Sequence, residues 1–415
     1  MKKIAITLIM TAALIAGFFQ SCVTYTQTTS GNKNFAYLYN PVLTTIHPSI
    51  QFYFDNPNKI TLYLSLSNKN FKFVGNSASL EMYYRAFKNF ATANTPLDSG
   101  TAIINPLKNS DKTYIALDIN TQNNSNLVIY LRITDKITKA VFENYYFLNN
   151  RNTNHPYNFL VTDSTTHEVI PTAFISSTVK IRHNTSDSLF VFVYKYRQNL
   201  PPPPFSTKQY TFDFPPEKAD SVFVLKSTGF LTPQYGKVYL IKADTQLQGG
   251  KVITCFRKNF PEIKTPYQML LPIRYLTNKT EFDNYIHYKN KKQAVDDFWL
   301  NCGKNKFNAA EMIKVYYNRA VLANIMFSTY QPGWQTDRGM IYIMFGPPKY
   351  VYKSSGGEKW IYSMSSSAPL QFVFRKYKNP YCENVYVLNR LLDYKPVWYQ
   401  AVQTWRSGKI YSVAN

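Results

Sequence analysis

Residues 331–350 read QPGWQTDRGMIYIMFGPPKY, in which a Gly-Trp pair, a Thr-Asp-Arg-Gly cluster and a Gly-Pro-Pro turn bracket an apolar run. Asp337 and Arg338 stand side by side in it, a carboxylate suited to proton transfer and a guanidinium suited to gripping an anion. The run holds no His, Cys or Ser, so catalysis by this pair requires another acid or a His from elsewhere. Adjacent side chains pair poorly with one another, so each is expected to find its own partner, Arg338 a carboxylate on a helix.

The neighbours of the pair have structural readings. Gly333 can take a backbone conformation closed to other residues at the exit of a helix, and Trp334 is a large apolar anchor. Thr336 and Asp337 can accept nearby backbone N–H groups and fix a turn. Gly339 permits close approach of another backbone. A strand is expected over 340–345, ended by Gly346-Pro347-Pro348 because proline cannot donate to a ladder. The stretch therefore reads as a helix-to-sheet joint, with Asp337 and Arg338 as its open functional candidates.

The rest of the chain offers little other chemistry. It has no HExxH, GxSxG, CxxC or Walker loop. SSGGEK at 354–359 is rich in Gly but reads as a hairpin turn between strands. His47, His155, His167, His183 and His287 are scattered singly, so no metal site is expected. Asp296 and Asp297 point about 100° apart on a helix and form no carboxylate dyad. Cys255, Cys302 and Cys382 are an odd, widely spaced set, read as one disulfide or as three buried free thiols. No cofactor is expected.

Helical signals are confined to the last third of the chain. Thr280 with Asp283 reads as a capping box before EFDNYIHYKN, and KQAVDDFWLN puts Val295, Phe298 and Trp299 on one side. Asn308 and Glu311 are expected to cap the helix AAEMIKVYYNRAVLANIMFS. Within it Ile313, Tyr316, Tyr317, Ala320, Ala323 and Phe327 recur at helical spacing. KPVWYQAVQTWRSGK reads as a closing helix between Pro396 and Gly408, with Trp398, Val402 and Trp405 on one face. Between these, KYVYKS, EKWIYSM, LQFVFRKY and ENVYVLNR read as an antiparallel meander.

Upstream, runs such as IQFYFDN, KITLYLSLS and LFVFVYKYR recur between polar breaks, the pattern of β-sandwiches. The content of 34 Tyr and 29 Phe against 15 Gly points the same way. The Pro run at 201–204 is a long loop between two strands. The expected fold is multidomain. Two all-β sandwich-like domains, 34–153 and 154–270, precede an α+β domain, 271–415, with helices packed on an antiparallel sheet.

The start of the chain follows the plan of a secretory signal. Residues 1–21 open with Lys2 and Lys3 and continue apolar through Phe19, too short a stretch for a bilayer span. Ser21-Cys22 resembles the lipobox of bacterial lipoproteins, which implies lipidation of Cys22, palmitate included, and a tether over 22–33. Removing Lys2 and Lys3 from the 47 basic residues leaves 45 against 24 acidic ones, a formal +21. These charges are spread thinly and show no RRM, KH or zinc-finger pattern, which argues against a nucleic-acid partner. Anionic lipid headgroups or an acidic partner are the alternative to a plain solvated surface.

GWQTDRGMIYIMFGPP resembles the signature of the GWxTD domain family through Gly333, Trp334, Thr336 and Asp337. The likeness extends back through AVDDFWL and IKVYYNRAVLAN and forward through EKWIYS, FVF and YVLNR, over residues 265–392. Family members are commonly exported lipoproteins of Bacteroidetes and related bacteria, and the family brings no established reaction, cofactor or substrate. The resemblance implies a lipid-anchored protein of the outer membrane. The absence of an acidic cluster after Cys22 implies that it faces the periplasm. Three functions follow as expectations. The first is a non-enzymatic protein that binds other envelope proteins, as an accessory of outer-membrane assembly or secretion. The second is binding of glycan or cell-wall polymer through aromatic faces and positive charge. The third is an enzyme acting through Asp337 and Arg338, which requires both to converge on a water-accessible pocket.

Overall fold

The computed structural model describes residues 33–149, 152–170, 174–197, 199–208, 214–363 and 369–412. The signal segment 1–21, Cys22 and all of the tether except Lys33 lie outside the described residues.

Strands β1 (Ser49–Asn56), β2 (Lys59–Ser67), β3 (Leu80–Phe87), β4 (Asp98–Ile104), β5 (Lys112–Asn120), β6 (Asn126–Asp135) and β7 (Val141–Asn149) build the first unit. They form two antiparallel sheets, β1-β2-β5 and β4-β3-β6-β7. The period of two along each strand explains the packing: Ile60, Leu62, Leu64 and Leu66 point inward against Leu80, Met82, Leu131 and Ile133.

In the second unit β8 (Phe159–Asp163) pairs with β9 (Val179–His183). Strands β10 (Ser188–Lys195), β11 (Ser221–Lys226), β12 (Lys237–Lys242) and β13 (Lys251–Cys255) form a sheet ordered β11-β10-β12-β13. Val161 and Ile181 pack on the inner face of that sheet against Val191, Ile241 and Ile253. Its outer face is buried too, because Phe214, Tyr330, Cys382 and Val385 cover Tyr194, Val238, Leu240 and Val252. Apolar residues on both faces of β12 thus mark a sheet held between two layers.

The last unit contains α1 (Pro266–Ile273), α2 (Lys279–His287), α3 (Lys291–Gly303), α4 (Lys306–Phe327), α5 (Asp337–Phe345) and α6 (Tyr394–Arg406). They pack on the antiparallel meander β14 (Tyr350–Ser354), β15 (Gly357–Ile361), β16 (Gln371–Lys376) and β17 (Tyr386–Leu388). Its core is aromatic, with Trp299, Trp360, Trp405, Tyr316 and Tyr342 all fully buried. The arrangement is the β-rich, then α+β organisation expected from the sequence.

Three details differ from expectation. Asn278, not Thr280 with Asp283, caps α2, its side chain accepting the Glu281 N–H at 2.8 Å. Asn305, not Asn308 and Glu311, caps α4 and accepts the Asn308 N–H at 2.9 Å. In both cases an earlier Asn satisfies one orphan N–H of the first turn and starts the helix sooner. The domain edges also shift. The Phe35 N–H donates to the Val351 carbonyl at 2.8 Å, and Phe35 and Tyr39 join the α+β core rather than the first sandwich. Leu270 of α1 lies in that same core, so the helical unit takes in residues before 271. Among the described residues, no helix is long and apolar enough to cross a membrane.

Candidate functional site

The strand expected over 340–345 is a helix. Every residue of α5 is buried, so the run has no polar side and no visible helical period. Thr336 starts this helix: its Oγ1 accepts the Gly339 N–H at 3.1 Å and donates to the Gly333 carbonyl at 2.7 Å. The motif is therefore a helix-to-helix joint, and the sheet begins only after Gly346.

Gly333 is not in the left-handed region; its role is spatial. A Cβ there would lie 1.8 Å from the Ala323 carbonyl oxygen of α4. A Cβ on Gly339 would lie 1.9 Å from the Gly333 oxygen. Two glycines thus let three backbones stack: α4, the single 3-10 turn Gly333–Gln335, and the first turn of α5. Trp334 locks the stack. Its N–H donates to Asn324 Oδ1 at 3.2 Å, its carbonyl accepts the Tyr275 hydroxyl at 2.8 Å, and its ring meets Tyr275 edge-on.

Asp337 is 2% exposed. Its carboxylate accepts the Leu388 N–H at 2.7 Å and both terminal nitrogens of Arg390, one at 3.1 Å. Burial pushes the Asp337 carboxyl above its ordinary value, against the opposing pull of Arg390. Arg390 in turn donates to the Pro202 carbonyl at 3.1 Å, so the Pro-rich loop of the second unit is tied to this pair.

Arg338, 3% exposed, points to a different place. Its guanidinium lies 3.9 Å from the Tyr386 ring centre and 4.8 Å from that of Phe327. It donates to the Asn384 carbonyl at 3.0 Å and faces Glu358 at 3.5 Å, a strand carboxylate rather than the helical one expected. Glu358 also accepts the Tyr39 hydroxyl at 2.6 Å and the Trp360 indole N–H at 3.0 Å. Burial would raise the Glu358 carboxyl, but Arg338, Lys353 and these two donors hold it below the ordinary value. The third polar residue, Gln335, accepts the Tyr196 hydroxyl from the second unit.

The far end of α5 is closed in the same way. Arg319 of α4 donates to the Ile343 carbonyl at 3.2 Å and the Trp405 indole to that of Met344 at 3.1 Å. Arg319, Asn324, Glu358, Asn384 and Arg390 were given no role by the sequence reading. The signal was present in IKVYYNRAVLAN, EKWIYS and YVLNR, which hold four of the five. Only the fold shows that they meet.

The chemical meaning is specific. Asp337 and Arg338 do not converge on a water-accessible pocket; each is enclosed in a separate ion pair. A solvent-open cleft does reach Trp334, along Arg257, Glu262, Gln268 and Pro332, but neither Asp337 nor Arg338 lines it. Cys255, Cys302 and Cys382 are buried free thiols, with Cys302 pushed up to about 11 and Cys382 to about 12 by burial. Among the described residues, no group of three or more His, Cys, Asp or Glu is placed to hold a metal ion.

No curated protein matches the chain. A family model does match residues 237–407, from the first residue of β12 to the residue after α6. That match includes the glycine stack and both ion pairs, and on it this part of the chain is a GWxTD domain.

Proposed function

We propose that the chain is a non-enzymatic lipoprotein of bacterial envelopes of the Bacteroidetes type. In this reading it is anchored through Cys22 in the outer membrane, faces the periplasm and binds other envelope proteins as an accessory of assembly or secretion. The observation that carries the reading is the destination of the motif's polar groups. Gln335 reaches Tyr196, Asp337 reaches Pro202 through Arg390, and Arg338 reaches Tyr39 through Glu358. These groups join separate segments into one body, and the Asp337 and Arg338 charges are each taken up by a buried ion pair. A rigid body of docked modules suits the presentation of surfaces to partners.

Crosslinking in native envelopes followed by pull-down tests the binding. Specific envelope proteins should be recovered with the wild type above the level found with an unrelated lipoprotein; recovery at the control level sinks it. Cys22→Ala should move the protein out of the membrane fraction, and unchanged retention would dispose of the anchor.

One observation favours a second reading, binding of glycan or cell-wall polymer. Tyr83, Tyr130 and Tyr145 are half-buried on the outer face of β3, β6 and β7, with exposed Arg132 beside them. Their neighbouring rings are inclined by 67° and 39°, so they form no flat stacking plane. Protein binding therefore leads. Retention on cell-wall polymer that Tyr130→Ala abolishes would reverse that order.

A further inference from the structure

Residues 68–79, 105–112 and 136–140 carry six lysines, Lys69, Lys72, Lys108, Lys112, Lys136 and Lys139, and one acid, Asp111. The ladders bring these segments to one end of the first sandwich. Leu80, which opens β3, pairs with Ile104 at the end of β4 and with Asp135 at the end of β6. Ser67 at the end of β2 pairs with Lys112 at the start of β5. The loops at the other end, 57–58, 88–97 and 121–125, carry a single charge, Lys88.

All six lysines are exposed. Lys69 lies 3.7 Å from Asp111 and Lys136 lies 3.0 Å from Glu81, both pairs open to solvent. Among the described residues, Lys72, Lys108, Lys112 and Lys139 pair with no carboxylate. Apolar tips stand among these charges. Val74 is 71% exposed and Leu107 57%, and Ser77 bridges to both. The tips are held in place. The Val74 N–H bonds to the Ser77 carbonyl at 3.0 Å, the Lys108 N–H to that of Asn76 at 3.0 Å and the Lys136 N–H to that of Ser79 at 2.9 Å. Fixed apolar tips among cations suit a membrane interface, where the tips enter the headgroup layer and the cations meet lipid phosphates.

We propose that this end of the first sandwich docks on an anionic lipid surface through Val74, Leu107 and the six lysines. The choice of a membrane over an acidic protein rests on the lipoprotein reading. In that reading residues 23–32 are the whole link between Cys22 and Lys33, which spans at most about 40 Å. Lys33 Nζ donates to Glu143 at 2.6 Å, two residues from the Val141 start of β7 at this same end. The basic end is therefore within the tether's reach of the bilayer.

Sedimentation of the full chain carrying Cys22→Ala with lipid vesicles tests the proposal apart from the anchor. The readout is binding to vesicles of equal phosphatidylglycerol and phosphatidylcholine, divided by binding to phosphatidylcholine alone. The ratio should be large at low salt and fall as salt rises. Lys72→Gln with Lys108→Gln should lower it about thirtyfold. Lys88→Gln with Lys226→Gln, which removes the same charge elsewhere, should barely change it. Val74→Ser with Leu107→Ser should weaken binding to the anionic vesicles about tenfold or more. These side chains are exposed, so an unchanged melting temperature shows that each variant is folded. A ratio near one overturns the proposal. So does an equal loss in the Lys88 and Lys226 control, which would mean attraction by net charge alone. Binding indifferent to the two serines, or capture of an acidic envelope protein by the same lysines without vesicle preference, also overturns it. A lipid anchor survives a high-salt wash and this contact does not, so failure of either reading is seen separately.

Discussion

The Asp337 carboxylate and the Arg390 guanidinium, 53 positions apart, form a two-pronged ion pair with their side chains 1% and 7% exposed. Such a pair is costly to assemble and costlier to break, because removing one partner strands the other charge away from water. Asp337→Asn keeps the size and removes the charge. It should lower the unfolding free energy by about 3–5 kcal/mol. Adding Arg390→Gln should return part of that loss, since no charge is then left unpaired. Urea unfolding of the two variants and the wild type checks both statements. A single variant within about 1 kcal/mol of wild type, the range of a surface pair, would mean that the pair is not enclosed.

The glycine stack makes a second prediction. Any Cβ at position 333 would sit 1.8 Å from the Ala323 oxygen, a backbone atom that cannot rotate aside. Gly333→Ala must push α4 and the 3-10 turn apart, at about 3 kcal/mol or more. Gly339→Ala meets the Gly333 oxygen at 1.9 Å and should cost a similar amount. The double variant should cost less than the sum, because both strain the same three-layer contact. Strict additivity in thermal unfolding would show that the two glycines do not act on one contact.

How much of this was legible in the sequence depended on whether a residue's partner was near it in the chain. The helical face of Tyr316, Ala320 and Phe327 was readable because one side of α4 is wet and the other dry. The run over 340–345 was misread because α5 is dry on every side. A short apolar run looks alike as a buried strand or a buried helix, and Thr336 as an N-cap three residues before Gly339 was the available clue. Gly339 was readable as a point of close approach, but Gly333 serves the same need and was given a conformational role instead. Arg390 and Glu358 stood in recognisable segments, yet nothing local could say which of Asp337 and Arg338 each would meet.

Acid should act on the Arg338 site through Glu358. Its carboxyl is held below the ordinary value, so its contribution is fully present above about 4.3 and is lost as pH falls through the folded value. Glu358→Gln removes that titration. The variant should be less stable than wild type at neutral pH, and the gap should narrow as pH drops below about 4.3. Asp337 is left intact in both proteins, because burial raises its carboxyl and gives it the opposite slope. Denaturant melts at a series of acid pH values supply the comparison. A gap that stays constant through that range would separate Glu358 from the acid response.

Alkali should act on the aromatic core. Tyr39, Tyr275, Tyr316 and Tyr362 are buried, and burial, the largest influence on each, pushes their phenols well above the ordinary value. Three of the hydroxyls donate to carbonyls at 2.8 Å: Tyr275 to Trp334, Tyr316 to Pro272 and Tyr362 to Gly346. The fourth, Tyr39, donates to Glu358 at 2.6 Å. A phenol raised in the folded state gives stability that is fully present below its unfolded value of about 10. That stability is lost as pH rises above about 10, because the unfolded chain releases protons that the folded chain retains. These four groups should therefore ionise together, in one step with the loss of near-ultraviolet circular dichroism. Parallel titrations of tyrosinate absorbance and dichroism decide the matter. Gradual ionisation of all the tyrosines while the dichroism stays intact would mean that the core admits water around these hydroxyls, contrary to the packing that holds the joint together.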